Sequence, residues 1–331
     1  MSFTSPFPDV EIPNLSVYDF LFSTIEEADM DRVALVDPKS GDETSYARLI
    51  GQIQAAAGAL AARGIAVGDV VGVLSPNIPA FATVFHGILR AGGTATTINA
   101  LFTAPEIAKQ LTDSKAKMLV TVSPLFEQAA AAAKEVGIAD ENLIVLDGEG
   151  QKATGHPNAI DLLAPNLPAP EVSFDPATHV AVLPYSSGTT GNPKGVALSH
   201  RNLVANVAQI APLQGASPDD VVIAVLPFFH IYGMTVLLNA ALHNRSRLVT
   251  MPRFDLVEFL ENIQNFKVTH AYIAPPVAVA LAKHPIVDNY DLSSLTTMMS
   301  GAAPRRCWSR CRRSSSRRPP RPRRSGSPMR T

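Results

Sequence analysis

The stretch LPYSSGTTGNPKGVALSHRNLV, residues 183–204, contains a run of small polar residues that follows a short apolar strand candidate. The run offers almost no apolar surface, so it cannot form part of a core. Its glycines let backbone N–H groups approach a ligand closely, and these groups can form an anion-binding concavity with the hydroxyl side chains. Lys194 adds a compact positive charge that suits a phosphate. The run predicts a phosphate-binding loop made by Ser186, Ser187, Gly188, Thr189, Thr190, Gly191 and Lys194.

Two other interpretations of this loop stay open: a flexible surface loop and a Walker-type phosphate loop. A Walker loop has the spacing Gly-x-x-x-x-Gly-Lys-Ser/Thr and runs directly into a helix. Here Lys194 is followed by Gly195 and the β-like VAL, and helix signals begin only at Ser199. We therefore expect a turn between two strands, with no helix beginning at Lys194.

Short β-rich runs alternate with helical stretches on both sides of the loop. This alternation predicts an α/β fold with two doubly wound sub-domains, whose parallel sheets are covered on both faces. We place the first sub-domain at residues 1–170 and the second, which carries the loop, at residues 171–304. Ligands bind beyond the carboxyl ends of the strands in such sheets, which is where the loop lies.

Local signals set the ends of several elements. The spacing of Thr103 and Glu106 predicts a capping box, and Ser123 is expected to cap the helix that follows it. A hairpin is expected to turn at residues 38–41 and to lead into an Ala-rich helix that stops at Gly64. A further helix is expected over residues 234–243, in MTVLLNAALH.

The composition, with 46% hydrophobic and 17% charged residues, is typical of a globular protein. No stretch approaches the ~18 apolar residues of a membrane span, and the N-terminus does not resemble a signal peptide, so a cytoplasmic protein is expected. Both cysteines, Cys307 and Cys311, lie in the last 27 residues, so the rest of the chain has neither a disulfide nor a Cys metal site. No side chain is assigned to a metal.

Residues 183–200 resemble the signature of the adenylate-forming (AMP-dependent synthetase and ligase) superfamily, and they are most similar to its 4-coumarate–CoA and fatty acyl-CoA ligases. LPFFHIYGM, residues 226–234, and YDLSSLTTMMSGAAP, residues 290–304, match further motifs in the family's order. The resemblance implies an enzyme that joins a carboxylic acid to AMP, releases pyrophosphate and passes the acyl group to coenzyme A. ATP, Mg²⁺ and coenzyme A are implied with it, and the acid is an aromatic or a fatty acid.

The resemblance also implies roles for single residues outside the loop. His230 would stand at the active-site gate near the acid carboxylate, and we count it as catalytic together with Lys194. The acid pocket would be lined by His230, Tyr232, Thr235, Met299 and Gly301. Ala302 and Ala303 would pass beside the adenine.

The resemblance ends at Pro304, before the family's Tyr-Gly-x-Thr-Glu motif and its small C-terminal domain with a catalytic Lys. Residues 305–331 contain 11 arginines and no acidic residue, while all 29 acidic residues lie in the remainder. We interpret them as the disordered product of a frameshift, in a truncated chain that does not complete turnover. One alternative is a non-catalytic nucleotide-binding remnant. The other is a nucleic-acid-binding arm, which the negative body disfavours, so only small-molecule partners are expected.

Overall fold

A computed structural model of the protein describes residues 7–147, 155–186 and 193–301. The strands are β1 (Val33–Val36), β2 (Glu43–Ser45), β3 (Val70–Val73), β4 (Thr94–Thr97), β5 (Ala116–Thr121), β6 (Leu143–Val145), β7 (Val180–Val182), β8 (Tyr185–Ser186), β9 (Lys194–Gly195), β10 (Leu198–Ser199), β11 (Val221–Ala224), β12 (Arg247–Thr250), β13 (His270–Ile273) and β14 (Thr297–Ser300).

The helices alternate with these strands over much of the chain. They are α1 (Val17–Phe22), α2 (Glu27–Met30), α3 (Tyr46–Ala62), α4 (Pro79–Arg90), α5 (Ala104–Ser114), α6 (Phe126–Val136), α7 (Ala159–Leu163), α8 (His200–Gln214), α9 (Ala240–His243), α10 (Leu256–Phe266) and α11 (Pro275–Lys283). Three 3₁₀ turns cover Ser123–Leu125, Asp140–Asn142 and Pro285–Asn289, and a π-helix covers Gly233–Asn239.

Two six-stranded sheets carry the fold. The first sheet has the order β10-β7-β4-β3-β5-β6 and the second has the order β14-β13-β11-β12-β1-β2. Neighbouring strands are parallel in both sheets except at the edge strands β10 and β2, which are antiparallel to their neighbours. The predicted fold class, two doubly wound α/β units, is confirmed.

Each sheet draws strands from both sides of residue 170. Strand β1 joins the second sheet through the pair Leu35↔Leu248, and β7 joins the first sheet through Ala95↔Val182. The two sheets therefore do not divide where the sequence places the sub-domains, at residues 170 and 171. Periodicity marks a segment as a strand, but the distant strand with which it pairs is fixed by tertiary packing.

Apolar residues on the two faces of each sheet belong to different cores. In β5, Met118 and Val120 lie in a central cluster, whereas Leu119 between them packs against α5 and α6. In β11, Val222 lies in the same central cluster, whereas Ile223 packs against α10. Because successive strand residues face opposite sides, helices α3 and α4 fill the space between two sheets whose outer faces are also covered. This five-layer packing explains the almost continuous apolar strands.

Most local predictions are confirmed. Thr103 and Glu106 form the expected capping box, and α8 begins directly after Ser199, whose hydroxyl accepts a hydrogen bond from the Asn202 N–H at 3.3 Å. Strands β1 and β2 form the predicted hairpin, and α3 ends before Gly64, whose φ of 86° is the left-handed conformation that glycine favours.

Two helix predictions need correction. Ser123 does not cap α6: it begins a 3₁₀ turn with Pro124, its backbone N–H donates to the Asp147 carboxylate at 2.6 Å, and α6 begins only at Phe126. The helix expected over residues 234–243 is a π-helix that passes into α9. π-Helical turns are rare, and they occur frequently at functional sites.

Candidate active site

Strands β8 and β9 form a short antiparallel hairpin, here called the Lys194 hairpin, directly after β7. Ser186 pairs with Lys194 and Tyr185 pairs with Gly195, and the side chains of Ser186 and Lys194 are exposed. The expectation that the loop lies between two strands, with no helix beginning at Lys194, is confirmed. The prediction that Ser187, Gly188, Thr189, Thr190 and Gly191 bind phosphate falls on residues outside those that the structure describes.

The second predicted element is the His230 segment, residues 226–239. His230 is exposed, and its Nδ1 accepts a hydrogen bond from the Tyr232 N–H at 3.2 Å. A Cβ atom at Gly233 would overlap the carbonyl oxygen of Pro227, so only glycine allows this close return of the chain. The segment thus presents the His230 ring to solvent from a tightly folded turn.

Asn77, which follows β3, holds this turn from the opposite half of the chain. Its amide NH₂ donates to the carbonyl oxygens of Ala224 at 2.9 Å and Leu226 at 2.8 Å, and its Oδ1 accepts from the Phe228 N–H at 2.7 Å. The side chain is 2% exposed. These bonds satisfy backbone groups that would otherwise be buried without partners, so Asn77 fixes the start of the His230 segment.

Two consecutive threonines of β4 connect both predicted elements. The Thr96 hydroxyl donates to the carbonyl oxygen of Leu183, just before the Lys194 hairpin, at 2.9 Å. The Thr97 hydroxyl donates to the carbonyl oxygen of Phe229 in the His230 segment at 2.8 Å. Consecutive strand residues point to opposite faces, so one strand end anchors the two elements on its two sides.

The predicted acid-pocket residues are brought together only in part. Tyr232 lies against Gly301: a Cβ atom added to Gly301 would stand 2.7 Å from the Tyr232 Oη. Burial raises the pKa of the Tyr232 phenol. Met299 is half-buried and packs against the central cluster, in register with Tyr272 of β13. Two of the predicted acid-pocket residues, Tyr232 and Gly301, are thus in contact.

Thr235 has a different position from that of Tyr232. It is 5% exposed, and its hydroxyl donates to the Ile231 carbonyl oxygen of its own helix at 2.8 Å. This bond occupies the hydroxyl hydrogen, so Thr235 shapes the π-helix backbone. Ala302 and Ala303, predicted beside the adenine, lie outside the described residues.

Sequence reasoning missed the buried residues that position the site. Asn77, Thr96 and Thr97 were not singled out, since nothing in their local sequence marks a hydrogen bond to a segment about 90 to 150 residues away. The available signal was a polar residue shortly after an apolar strand, as Asn77 is, because such positions lie at the ligand-binding edge of parallel sheets.

The part of the chain that the structure describes contains neither a metal-binding cluster nor a membrane-spanning helix. Among residues 7–147, 155–186 and 193–301, no three His, Cys, Asp or Glu side chains stand close enough together to hold a metal ion. No helix in the same ranges has both the length and the apolar character needed to cross a membrane.

The site can be compared with known proteins. Residues 22–314 match the family model described as AMP-binding enzyme. The chain is 37% identical over 316 residues to the probable 4-coumarate–CoA ligase 1 of Dictyostelium discoideum, an alignment that covers 91% of this chain and 57% of the relative. It spans little more than half the length of the curated relatives that it matches.

Solved structures agree with the sequence comparison. A long-chain-fatty-acid-CoA ligase from Archaeoglobus fulgidus superimposes with a TM-score of 0.80 at 26% identity, over 91% of this chain and 60% of that chain. MatB from Rhodopseudomonas palustris with ATP bound superimposes with a TM-score of 0.76 at 27% identity, over 88% and 56% of the two chains. By its sequence match and its fold, this chain belongs to the AMP-binding enzyme family.

Proposed function

We propose that the Lys194 hairpin binds the phosphates of ATP and that a carboxylic acid lies between it and the His230 segment, for activation to an acyl adenylate. The observation that carries this proposal is the pair of hydrogen bonds from Thr96 and Thr97, which anchor both elements to one strand end. Two substrates must be held side by side for one to attack the other, and such positioning lowers the barrier substantially.

In this reaction a carboxylate oxygen of the acid attacks the α-phosphorus, and the bond to the bridging oxygen breaks as pyrophosphate leaves with its electron pair. Lys194 is placed to stabilise the charge that collects on the leaving group, and such charges act most strongly where they are fixed in advance. The exposed Ser186 hydroxyl, opposite Lys194 in the hairpin, can donate to a phosphate oxygen. Among the described residues the His230 side chain makes one hydrogen bond, through Nδ1, so its Nε2 can orient the acid carboxylate.

Mg²⁺ is implied by the resemblance, yet the described residues offer no cluster of three ligands for it. We therefore assign no side chain of this chain to the metal. Mg²⁺ commonly reaches such sites bound to nucleotide phosphates with one or two carboxylates, and when bound it would neutralise phosphate charge.

The acid is proposed to be aromatic or fatty, and the product to be its coenzyme A thioester. The matched relatives support both classes, since one is named as a 4-coumarate–CoA ligase and another as a long-chain-fatty-acid-CoA ligase. Tyr232 and Met299 offer an aromatic ring and a flexible thioether to an apolar tail. No residue is assigned to coenzyme A.

For the 331-residue polypeptide we propose ATP binding without acyl-CoA formation. Its sequence contains no Tyr-Gly-x-Thr-Glu motif, which in the family the resemblance links to phosphate and Mg²⁺. The second candidate function is a non-catalytic nucleotide-binding remnant, which would stay inactive even with the C-terminal part of a relative. The missing motif favours this candidate as well. The cytoplasmic location, the frameshifted tail and the absence of a nucleic-acid partner stay predictions.

Acid-dependent pyrophosphate release, measured with a panel of aromatic and fatty acids, tests this proposal. We expect no release above background from the 331-residue chain. A chimera of residues 1–301 with the remaining C-terminal part of the Dictyostelium relative should release pyrophosphate and lose this activity on Lys194→Ala. An inactive chimera that is folded and binds ATP would favour the non-catalytic function.

A further inference from the structure

The Lys194 hairpin rests on the carboxyl-terminal half of α5, although α5 is not part of any motif. The Tyr185 hydroxyl donates to the Asp113 carboxylate at 2.5 Å, across 72 residues of sequence. One turn earlier on the helix, the Gln110 amide donates to the Thr96 hydroxyl oxygen at 2.9 Å and to the Thr97 carbonyl oxygen at 3.0 Å. Thr96 in turn bonds the carbonyl oxygen of Leu183. Helix α5 thus supports the base of the hairpin at two positions, directly through Asp113 and indirectly through Gln110 and Thr96.

Tyr185 also connects the two strands of the hairpin to each other. It pairs with Gly195 in the register of β8 and β9, and its ring covers this glycine: a Cβ atom there would stand 3.1 Å from the Tyr185 Cζ. Gly195 follows Lys194 directly. A movement of the Tyr185 ring would therefore be transmitted to the strand that carries the lysine.

We propose that Tyr185 and Asp113 form a positioning pair that holds the Lys194 hairpin on α5 in the geometry that receives the ATP phosphates. The proposal rests on the proposed function. Tyr185 acts here through Lys194 and Gly195, so it is a positioning residue. An O–H···O⁻ hydrogen bond is charge-assisted, and such bonds are stronger than those between neutral groups.

The negative charge of Asp113 leads to a second consequence. A carboxylate near a phosphate site repels the nucleotide unless it is engaged with a donor, and Tyr185 is that donor. Loss of the Tyr185 hydroxyl should therefore weaken ATP binding for two reasons. The hairpin is held less firmly, and the Asp113 carboxylate loses the donor that reduces its repulsion of the phosphates. Asp113→Asn removes the charge but keeps an oxygen that can accept the hydroxyl hydrogen.

Titration calorimetry with MgATP and hydrogen exchange of the peptide 183–199 test the pair in the full 331-residue chain. Tyr185→Phe and Asp113→Ala should each weaken ATP binding about three- to tenfold, with the larger loss in Tyr185→Phe, and the double variant should resemble Asp113→Ala. Asp113→Asn should bind nearly as the wild type does. Without ATP, exchange in the peptide should rise in Tyr185→Phe and Asp113→Ala only.

The matched control is Thr112→Ala on the neighbouring position of α5, because the Thr112 hydroxyl bonds only the Ala108 carbonyl oxygen of its own helix among the contacts described. It should change neither readout, and urea unfolding should show that all variants remain folded. Unchanged affinity and exchange in Tyr185→Phe, with wild-type ATP binding intact, would overturn the positioning role. Failure of the wild type itself to bind ATP would overturn the proposed function, and this role with it.

Discussion

The Lys194 hairpin and the His230 segment, which we propose to share one site, are held in different ways. The hairpin is exposed at Ser186 and Lys194 and is attached at its base, through Leu183 and Tyr185. The His230 segment is fixed from its first residues by the buried Asn77 and continues into a buried π-helix. Phosphate binding needs accessible donors and charge, whereas an acid pocket needs walls. The two regions should therefore respond differently to substitution.

Asn77→Ala should have the largest effect on stability. The change leaves the backbone groups of Ala224, Leu226 and Phe228 without their buried partner, and each such group costs about 1–3 kcal/mol. We expect the free energy of unfolding in urea to fall by about 3 kcal/mol, whereas the exposed Asn289→Ala serves as the control and should change it by less than about 0.5 kcal/mol. A loss below about 1 kcal/mol would show that Asn77 does not hold the segment.

Acid should weaken the fold through His86, which bridges α4 to the π-helix. Its Nδ1 donates to the Ala82 carbonyl oxygen at 2.8 Å, and its Nε2 lies 3.1 Å from the Asn239 Oδ1. Burial lowers the pKa of His86 from 6.5 to about 4. The stability due to the neutral ring is thus complete above pH 6.5 and declines as the pH falls towards 4, because the unfolded chain then binds the proton more readily.

Urea unfolding at pH 7 and pH 5 measures the contribution of His86 to the pH dependence of the free energy of unfolding. The wild type should lose about 2 kcal/mol more than His86→Gln between the two pH values, since one pKa unit corresponds to about 1.4 kcal/mol. Equal losses in the two proteins would assign the acid sensitivity to other groups. His200, whose pKa burial and the neighbouring His179 lower to about 3, remains in both proteins and cancels in the comparison.

Gly301→Ala should have a smaller and more selective effect. The added methyl group meets the Tyr232 hydroxyl, and the ring must shift in the proposed acid pocket, which costs about 1 kcal/mol. We expect several-fold weaker binding of acyl-sulfamoyl-adenosines with bulky acyl groups and unchanged binding of ATP. Equal weakening of both ligands would place Gly301 outside the acid pocket.

The sequence predicts the parts of this molecule that are encoded locally. Amphipathic periodicity and capping signals locate the strands and the ends of α5 and α8, and the hairpin around Lys194 follows from the absence of helix signals before Ser199. The interleaving of the two sheets is not encoded locally. Strand β1 has the same apolar pattern whichever sheet it joins, and its partner β12 lies more than 200 residues later in the chain.

The candidate site also contains both residues that the sequence predicts and residues that it does not predict. His230, Tyr232 and Gly301 follow from motif resemblance, and the contact of Tyr232 with Gly301 joins two motifs that are far apart in sequence. Asn77 and Tyr185 form hydrogen bonds to distant segments, and no local pattern identifies these partners. Ser123 is a residue whose local pattern gives a wrong prediction. The pattern fits a helix cap, but Ser123 begins a 3₁₀ turn with the following proline, and its backbone N–H donates to Asp147.

Titration calorimetry of the 331-residue chain with MgATP tests whether the Lys194 hairpin binds the phosphates of ATP. We expect measurable binding that Lys194→Ala weakens at least about tenfold, without a change in urea stability, because the side chain is exposed and makes no hydrogen bond or ion pair among the described residues. Lys283→Ala, on the exposed end of α11, is the control and should bind as the wild type does. Unchanged ATP affinity in Lys194→Ala would show that the Lys194 hairpin does not bind the phosphates of ATP.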